Sequence, residues 1–96
     1  MGAVILTIAL WAAHFTAIYG FTALACARDM ASAVPWVVGA VSAAAMLALA
    51  AVAVPAGLRA ARTSGFSDVL AFGLGGLAMI AVVWEASSLF SVRACV

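Results

Sequence analysis

The sequence has no lysine, few charged side chains of either sign and no cluster of basic residues. Four arginines, two aspartates and one glutamate make up 7% of its 96 residues, whereas about 25% of an ordinary soluble domain is charged. Hydrophobic residues account for 70% of the chain, so it lacks the polar surface that a soluble protein presents to water. A net charge of +1 also argues against nucleic acid as a partner.

The length of the chain excludes further classes of protein. A membrane-crossing helix takes about 20 apolar residues, so three crossings leave room only for short loops and ends. No separate soluble catalytic or nucleotide-binding domain fits. The sequence offers no nucleophile with an orienting base, no phosphate-binding loop and no metal-ligand cluster. We therefore expect a protein that is not an enzyme and that needs no cofactor and no metal.

Charged residues divide the chain into three apolar segments. No charged side chain precedes Arg28, none lies between Asp29 and Arg59, and between Asp68 and Arg93 the only charged side chain is Glu85. Short connections favour antiparallel packing of successive helices. We predict an all-α, integral membrane three-helix antiparallel bundle that forms a single transmembrane domain over residues 1–96. Its predicted helices cover about 3–27, 34–56 and 68–92.

Both prolines fall in the second predicted helix. Pro35 lies early in that helix, where its missing N–H costs little. Pro55, followed by Gly57, is expected to bend or end the helix. An apolar first segment that contains Ala23-Leu24-Ala25 also resembles a cleaved signal peptide. Because no basic residue precedes this segment and it is long, we expect it to be retained.

The arginines suggest an orientation. Three crossings put the N-terminus and the second loop, with Arg59 and Arg62, on one side of the membrane; Arg28 and Arg93 lie on the other. The N-terminal amine and the clustered pair favour a cytoplasmic N-terminus under the positive-inside rule.

The two cysteines lie on the opposite, oxidising side in this orientation. Cys26 closes the first helix and Cys95 follows the third. They are candidates for a disulfide, which requires Cα atoms within about 7 Å of each other. Two unpaired thiols are the alternative.

The first helix has two faces of different chemistry. One face, called here the small-residue face, consists of Ala9, Ala12, Thr16, Gly20, Ala23 and Ala27. His14 lies on the opposite side, surrounded by residues that include Trp11, Phe15 and Ile18. We expect the small-residue face to pack within the chain and the face with His14 to contact a partner. A histidine bonded to a carbonyl group or a neighbouring helix is the simpler alternative for His14, and an axial ligand of haem is another.

Glu85 is the acidic residue within a predicted span, where an ionisable side chain is a candidate functional group. Its face of the third helix is mostly small, so we expect it to point toward another helix. The helical rise places Glu85 and His14 roughly 10 Å apart in depth, too far for a direct bond. Tyr19 is at nearly the right depth. We predict a hydrogen bond between Tyr19 and a neutral Glu85 carboxyl group that sets helix register, with a proton relay or a partner contact as alternatives.

The strings Trp11-Ala12-Ala13-His14-Phe15, Tyr19-Gly20 and Ala25-Cys26-Ala27-Arg28 carry a resemblance over the first third of the chain. They resemble short three-helix bacterial inner-membrane proteins that accompany genes for haem-copper terminal oxidases and related respiratory proteins. The resemblance implies a respiratory setting in the bacterial inner membrane. It supplies no catalytic residue.

Three hypotheses about function follow from these observations. The first is a non-catalytic integral membrane protein that serves as an accessory subunit or assembly partner of a larger inner-membrane complex, with the lipid bilayer and other membrane subunits as its partners. The second is a homo-oligomeric, proton-coupled transporter of small solutes that uses Glu85. The third is an electron-transfer subunit that associates with haem or quinone through His14.

Overall fold

Three long helices account for nearly all of the part of the chain that the structure describes. The computed structural model describes the backbone of residues 2–91 and the side chains of residues 2–88. The helices are α1 (Gly2–Ala27), α2 (Val34–Thr63) and α3 (Phe66–Ser91), and a 3₁₀ turn over Ala31–Ala33 precedes α2. Each helix packs against the other two. The predicted all-α, three-helix antiparallel fold is confirmed.

All three helices are long and apolar enough to cross a membrane. α1 and α3 have 26 residues each and α2 has 30, so every helix exceeds the hydrocarbon thickness of about 30 Å. Inside lipid a backbone has to satisfy its own hydrogen bonds, which long helices with short connections do. The chain is therefore a multi-pass membrane protein.

The end of α2 was predicted too early. Pro55 lies inside α2, which continues to Thr63. A membrane helix tolerates an internal proline, because neighbouring groups compensate for the lost hydrogen bond. The helix ends at Ser64, which adopts a left-handed conformation with φ of 55°. Its backbone N–H donates to the Ala60 carbonyl oxygen over 2.8 Å. Pro35, by contrast, stands at the start of α2 as predicted.

The length of α2 sets the relative heights of α1 and α3. Because α2 exceeds α1 by about one helical turn, α3 begins about one turn beyond the N-terminal end of α1. The packing agrees with this shift, since Val4, Ala56 and Ala71 form one buried cluster. α3 itself begins at Phe66, two residues before the predicted start.

The interior consists of apolar layers along the bundle. The layer at the α1–α2 connection contains Ile18, Ala25, Val34 and Val38. A middle layer contains Leu49, Ala78 and Val82, and the cluster around Val4 closes the other end. α2 and α3 approach closely, because a Cβ atom on Gly75 would lie 2.6 Å from the Cβ atom of Ala53.

An ion pair joins α2 and α3 at their connection. Arg59 Nε donates to Asp68 Oδ1 over 3.0 Å, and Asp68 lies in the first turn of α3. The Arg59 side chain is 54% exposed, so the pair contributes little to stability. It does keep two charged groups at the membrane surface.

Candidate functional site: a polar layer that joins the three helices

α1 turns His14 inward, which corrects the predicted orientation of that helix. His14 is only 3% exposed and Ile18 only 1%, so neither lies on a partner-facing surface. Every member of the small-residue face is exposed instead. The prediction gave priority to close packing of small side chains. An imidazole placed in lipid has no hydrogen-bond partner, so burying His14 outweighs burying alanine methyl groups.

His14 bonds to both of the other helices, which confirms the alternative of a histidine bonded to a neighbouring helix. Its Nδ1 atom lies 3.1 Å from Glu85 Oε2 on α3, and its Nε2 atom lies 2.9 Å from Ser42 Oγ on α2. Trp11 Nε1 donates to the second carboxyl oxygen, Glu85 Oε1, over 3.1 Å. These four residues, called here the polar layer, connect α1, α2 and α3. The Glu85 side chain is 12% exposed, which confirms that α3 turns it toward the other helices.

The His14–Glu85 contact overturns the predicted offset of roughly 10 Å in depth. His14 follows Val4 by ten residues and Glu85 follows Ala71 by fourteen, and Val4 and Ala71 share a layer. The remaining difference is one helical turn, which two long side chains span. The prediction aligned the middles of the helices 3–27 and 68–92, whereas the shared layer of Val4 and Ala71 shifts α3 by about two residues relative to that alignment.

Tyr19 does not take part in the polar layer. It is 41% exposed, and its ring packs on Phe15 with a distance of 4.6 Å between ring centroids. The predicted Glu85–Tyr19 hydrogen bond is therefore wrong. Trp11 supplies the donor instead, and its ring lies 5.9 Å from that of Phe15. The polar side of α1 begins at Trp11, one turn before His14.

Ser42 is the member of the site that the sequence analysis missed. It lies on α2 among alanine, valine and glycine, where serine usually bonds to its own backbone. One sequence signal could have identified it, because Ser42 is the one hydroxyl side chain between Pro35 and Arg59. His14 and Glu85 both needed a partner, and a hydroxyl group can both donate and accept a hydrogen bond.

Every buried polar side-chain atom in residues 2–88 has a hydrogen-bond partner. Thr7 Oγ1 donates to the Ala3 carbonyl oxygen and Thr22 Oγ1 donates to that of Ile18. The polar layer lies between the apolar layer that contains Ile18 and the one that contains Leu49. It is thus a polar layer within an apolar core, an arrangement that fixes helix register in other helical proteins.

The order Ser42–His14–Glu85 matches the hydrogen-bond order of serine hydrolase triads. No local sequence motif indicates this order, because the three residues lie on three different helices. Acyl transfer also requires donors aimed at a developing oxyanion. Ser42 lies in the interior of α2, where backbone N–H groups bond within the helix. The backbone of Ser42 itself therefore offers no such donor.

The geometry also bears on the other ligand hypotheses. Both ring nitrogens of His14 have partners inside the bundle, so binding haem iron would require the loss of one contact. Among the described residues, no group of three His, Cys, Asp or Glu side chains is placed to hold a metal ion. Cys26 lies at the end of α1. Cys95 and Arg93 lie outside the described residues, so the Cys26–Cys95 disulfide stays a prediction.

A shallow apolar groove runs beside the polar layer between α1 and α3. Its volume is about 210 Å³, and it opens toward the surface that faces lipid. Trp11 forms part of both the groove and the polar layer. The other residues that line the groove are Thr7, Ile8, Leu74, Leu77, Ala78 and Ala81.

Comparisons with protein families, curated proteins and solved structures found no match. The resemblance carried by the first third of the chain therefore stays a prediction.

Proposed function

We propose that this chain is a non-catalytic accessory subunit or assembly partner of a larger complex in the bacterial inner membrane, with its N-terminus in the cytoplasm. The observation that carries the proposal is the orientation of α1. His14, on its polar face, bonds to α2 and α3 inside the bundle. Its outward face consists of the small-residue face and the neighbouring rings of Trp11, Phe15 and Tyr19. A respiratory complex is the partner class that the resemblance in α1 favours.

The outward face of α1 has the shape that a further transmembrane helix needs. Gly20 is exposed, and a Cβ atom there would meet nothing within 4 Å. Ala12, Thr16 and Gly20 recur at four-residue spacing, which allows close approach of two helix backbones. Phe15 and Tyr19 form a raised edge beside this surface. Of the four residues predicted to face a partner, Trp11 and Phe15 remain exposed.

The test is purification of the tagged chain in a mild detergent, with identification of the proteins that accompany it. Gly20→Leu adds bulk to the outward face without touching the rest of the chain. It should reduce the recovered partner at least about tenfold, which corresponds to about 1.4 kcal/mol. Gly73→Leu is the matched control, because Gly73 is exposed on α3 and also has open space around it.

Recovery of the partner with Gly73→Leu but not with Gly20→Leu supports the proposal. A chain that remains a solitary monomer from native membranes, or a partner that is retained equally by both variants, contradicts it.

The His14–Glu85 contact favours proton-coupled transport as a second candidate. An ion pair within the membrane is a feature of proton-dependent carriers. Apolar layers lie on both sides of the pair within one chain, so a pathway would need several copies. A crosslinked homo-oligomer with pH-dependent solute uptake that Glu85→Gln abolishes would support this candidate.

A further inference from the structure

The polar layer has more freedom in its hydrogen bonding than its four fixed residues suggest. The Trp11 indole can only donate a hydrogen bond, whereas a hydroxyl group donates and accepts. Each nitrogen of His14 and each oxygen of Glu85 changes its role with its protonation state. The same contacts therefore allow more than one arrangement of protons.

When the layer carries no net charge, all three contacts are satisfied. His14 Nε2–H donates to Ser42 Oγ over 2.9 Å. A second proton lies between His14 Nδ1 and Glu85 Oε2, which are 3.1 Å apart, and it belongs either to the imidazole or to the carboxyl group. Trp11 donates to Glu85 Oε1. In this arrangement the Ser42 hydroxyl is free to donate to a carbonyl group of its own helix.

When the layer holds one proton fewer, the contacts are satisfied again. The Glu85 carboxylate then accepts from Trp11 Nε1–H and from His14 Nδ1–H. His14 Nε2 has lost its proton and accepts from the Ser42 hydroxyl. No heavy atom moves between the two arrangements. The Ser42–His14 hydrogen bond reverses its direction, and the His14–Glu85 bond reverses with it when the proton leaves from the carboxyl group.

No other titratable side chain among the described residues takes part in the layer. α1 contributes His14 and the indole of Trp11, α3 contributes Glu85, and α2 contributes the hydroxyl of Ser42. The charged side chains of the described part of the chain, apart from Glu85, lie near helix ends: Arg28, Asp29, Arg59, Arg62 and Asp68.

We propose that the polar layer is a binding site for one exchangeable proton within the membrane. His14 and Glu85 hold the proton jointly, and Ser42 reverses its hydrogen bond when the proton is gained or lost. Ser42 is a positioning residue in this scheme. The proposal goes beyond the accessory role and does not depend on a partner, because the site lies entirely within one chain.

The composition of the chain makes the test specific. The sequence contains one histidine and one glutamate, so ¹⁵N-histidine and ¹³C-glutamate each label a single site. The full chain is reconstituted in lipid bilayers, and both signals are followed by solid-state NMR from about pH 4 to about pH 10, a range that covers the ordinary titrations of both side chains. Because a titration step of coupled groups belongs to the pair and the proposed site exchanges one proton, we expect both signals to report the same midpoint.

Variants test the role of Ser42. Ser42→Ala should move the common midpoint by roughly half a pH unit or more, because it leaves a buried N–H donor of His14 unpaired in one arrangement and a lone pair unpaired in the other, and these two losses differ in free energy. Ser87→Ala, an exposed serine on α3, should leave the midpoint unchanged. Two separate midpoints in the unmodified chain, or signals that stay constant over the whole range, would overturn the proposal. The unmodified chain alone gives this answer, so the result does not require that Ser42→Ala folds.

Discussion

At the scale of single residues, the contacts of Glu85 explain why one acidic side chain is retained in an apolar helix. Its two oxygens accept from Trp11 and contact His14. A lone ionisable group raises the free energy of inserting a helix into lipid. The hydrogen bonds between helices offset part of this cost. Glu85 thereby couples α3 to α1, and through His14 to Ser42 on α2.

Two replacements of Glu85 should distinguish the contribution of side-chain shape to stability from that of hydrogen bonding. Glu85→Leu leaves the Trp11 and His14 nitrogens without their partner, and we expect it to lower the free energy of unfolding by about 1–2 kcal/mol. Glu85→Gln keeps an oxygen for Trp11 and offers an N–H to His14, so the loss should be smaller. Steric-trap unfolding in bicelles measures both. Equal losses for the two variants would mean that hydrogen bonding is not what Glu85 contributes.

The sequence predicted some residues of this site and misplaced others for physical reasons. The inward direction of Glu85 followed from the small side chains on its face of α3. The inward direction of His14 was missed because the two faces of α1 were ranked by side-chain size, although the need for hydrogen bonds decides between them. Ser42 was missed because a lone serine in an alanine-rich helix carries no pattern of its own.

At the scale of helices, the close contact between α2 and α3 depends on Gly75. A methyl group at this position would lie 2.6 Å from the Cβ atom of Ala53 and 3.6 Å from its Cα atom. We expect Gly75→Ala to force the helices apart and to lower the free energy of unfolding by about 1–3 kcal/mol. The same unfolding assay measures the change.

Gly73 supplies the matched comparison within one turn of α3. Nothing lies within 4 Å of a Cβ atom built at Gly73, and alanine is the better helix former. Gly73→Ala should therefore leave stability unchanged or raise it slightly. If Gly75→Ala proves as harmless as Gly73→Ala, the close packing of α2 on α3 described here is wrong.

The order of the helices could be predicted from the sequence, but the end of α2 and the register of the helices could not. Apolar length and charge spacing predicted three helices and their order. The proline signal, which ends helices in water, misplaced the end of α2, since Pro55 lies inside that helix. The register between α1 and α3 is set by the packing of all three helices, so the pairing of His14 with Glu85 could not be predicted from the individual helices.

At the scale of the whole molecule, orientation is a prediction open to direct measurement. Arg59 and Arg62 lie at the end of α2 on the same side as the N-terminus, which the positive-inside rule assigns to the cytoplasm. Alkaline phosphatase fused to the C-terminus should be active, whereas green fluorescent protein fused there should be dark. The opposite result would place the C-terminus in the cytoplasm.

The same orientation places Cys26 and Cys95 on the oxidising side of the membrane. We expect mass spectrometry of the unreduced chain to find the two residues joined by a disulfide. Alkylation should label both cysteines only after reduction. Free alkylation of both residues in native membranes without a reductant would contradict the predicted disulfide.

The central claim is that one polar layer holds α1, α2 and α3 together through His14 and Glu85. Because each residue type occurs once, a dipolar-recoupling NMR experiment between ¹⁵N-histidine and ¹³C-glutamate in bilayers measures this pair alone. We predict strong coupling from His14 Nδ1 to the Glu85 carboxyl carbon, as a 3.1 Å contact between Nδ1 and Oε2 requires. Absence of measurable coupling between the two labels in a folded, bilayer-embedded chain would contradict the account.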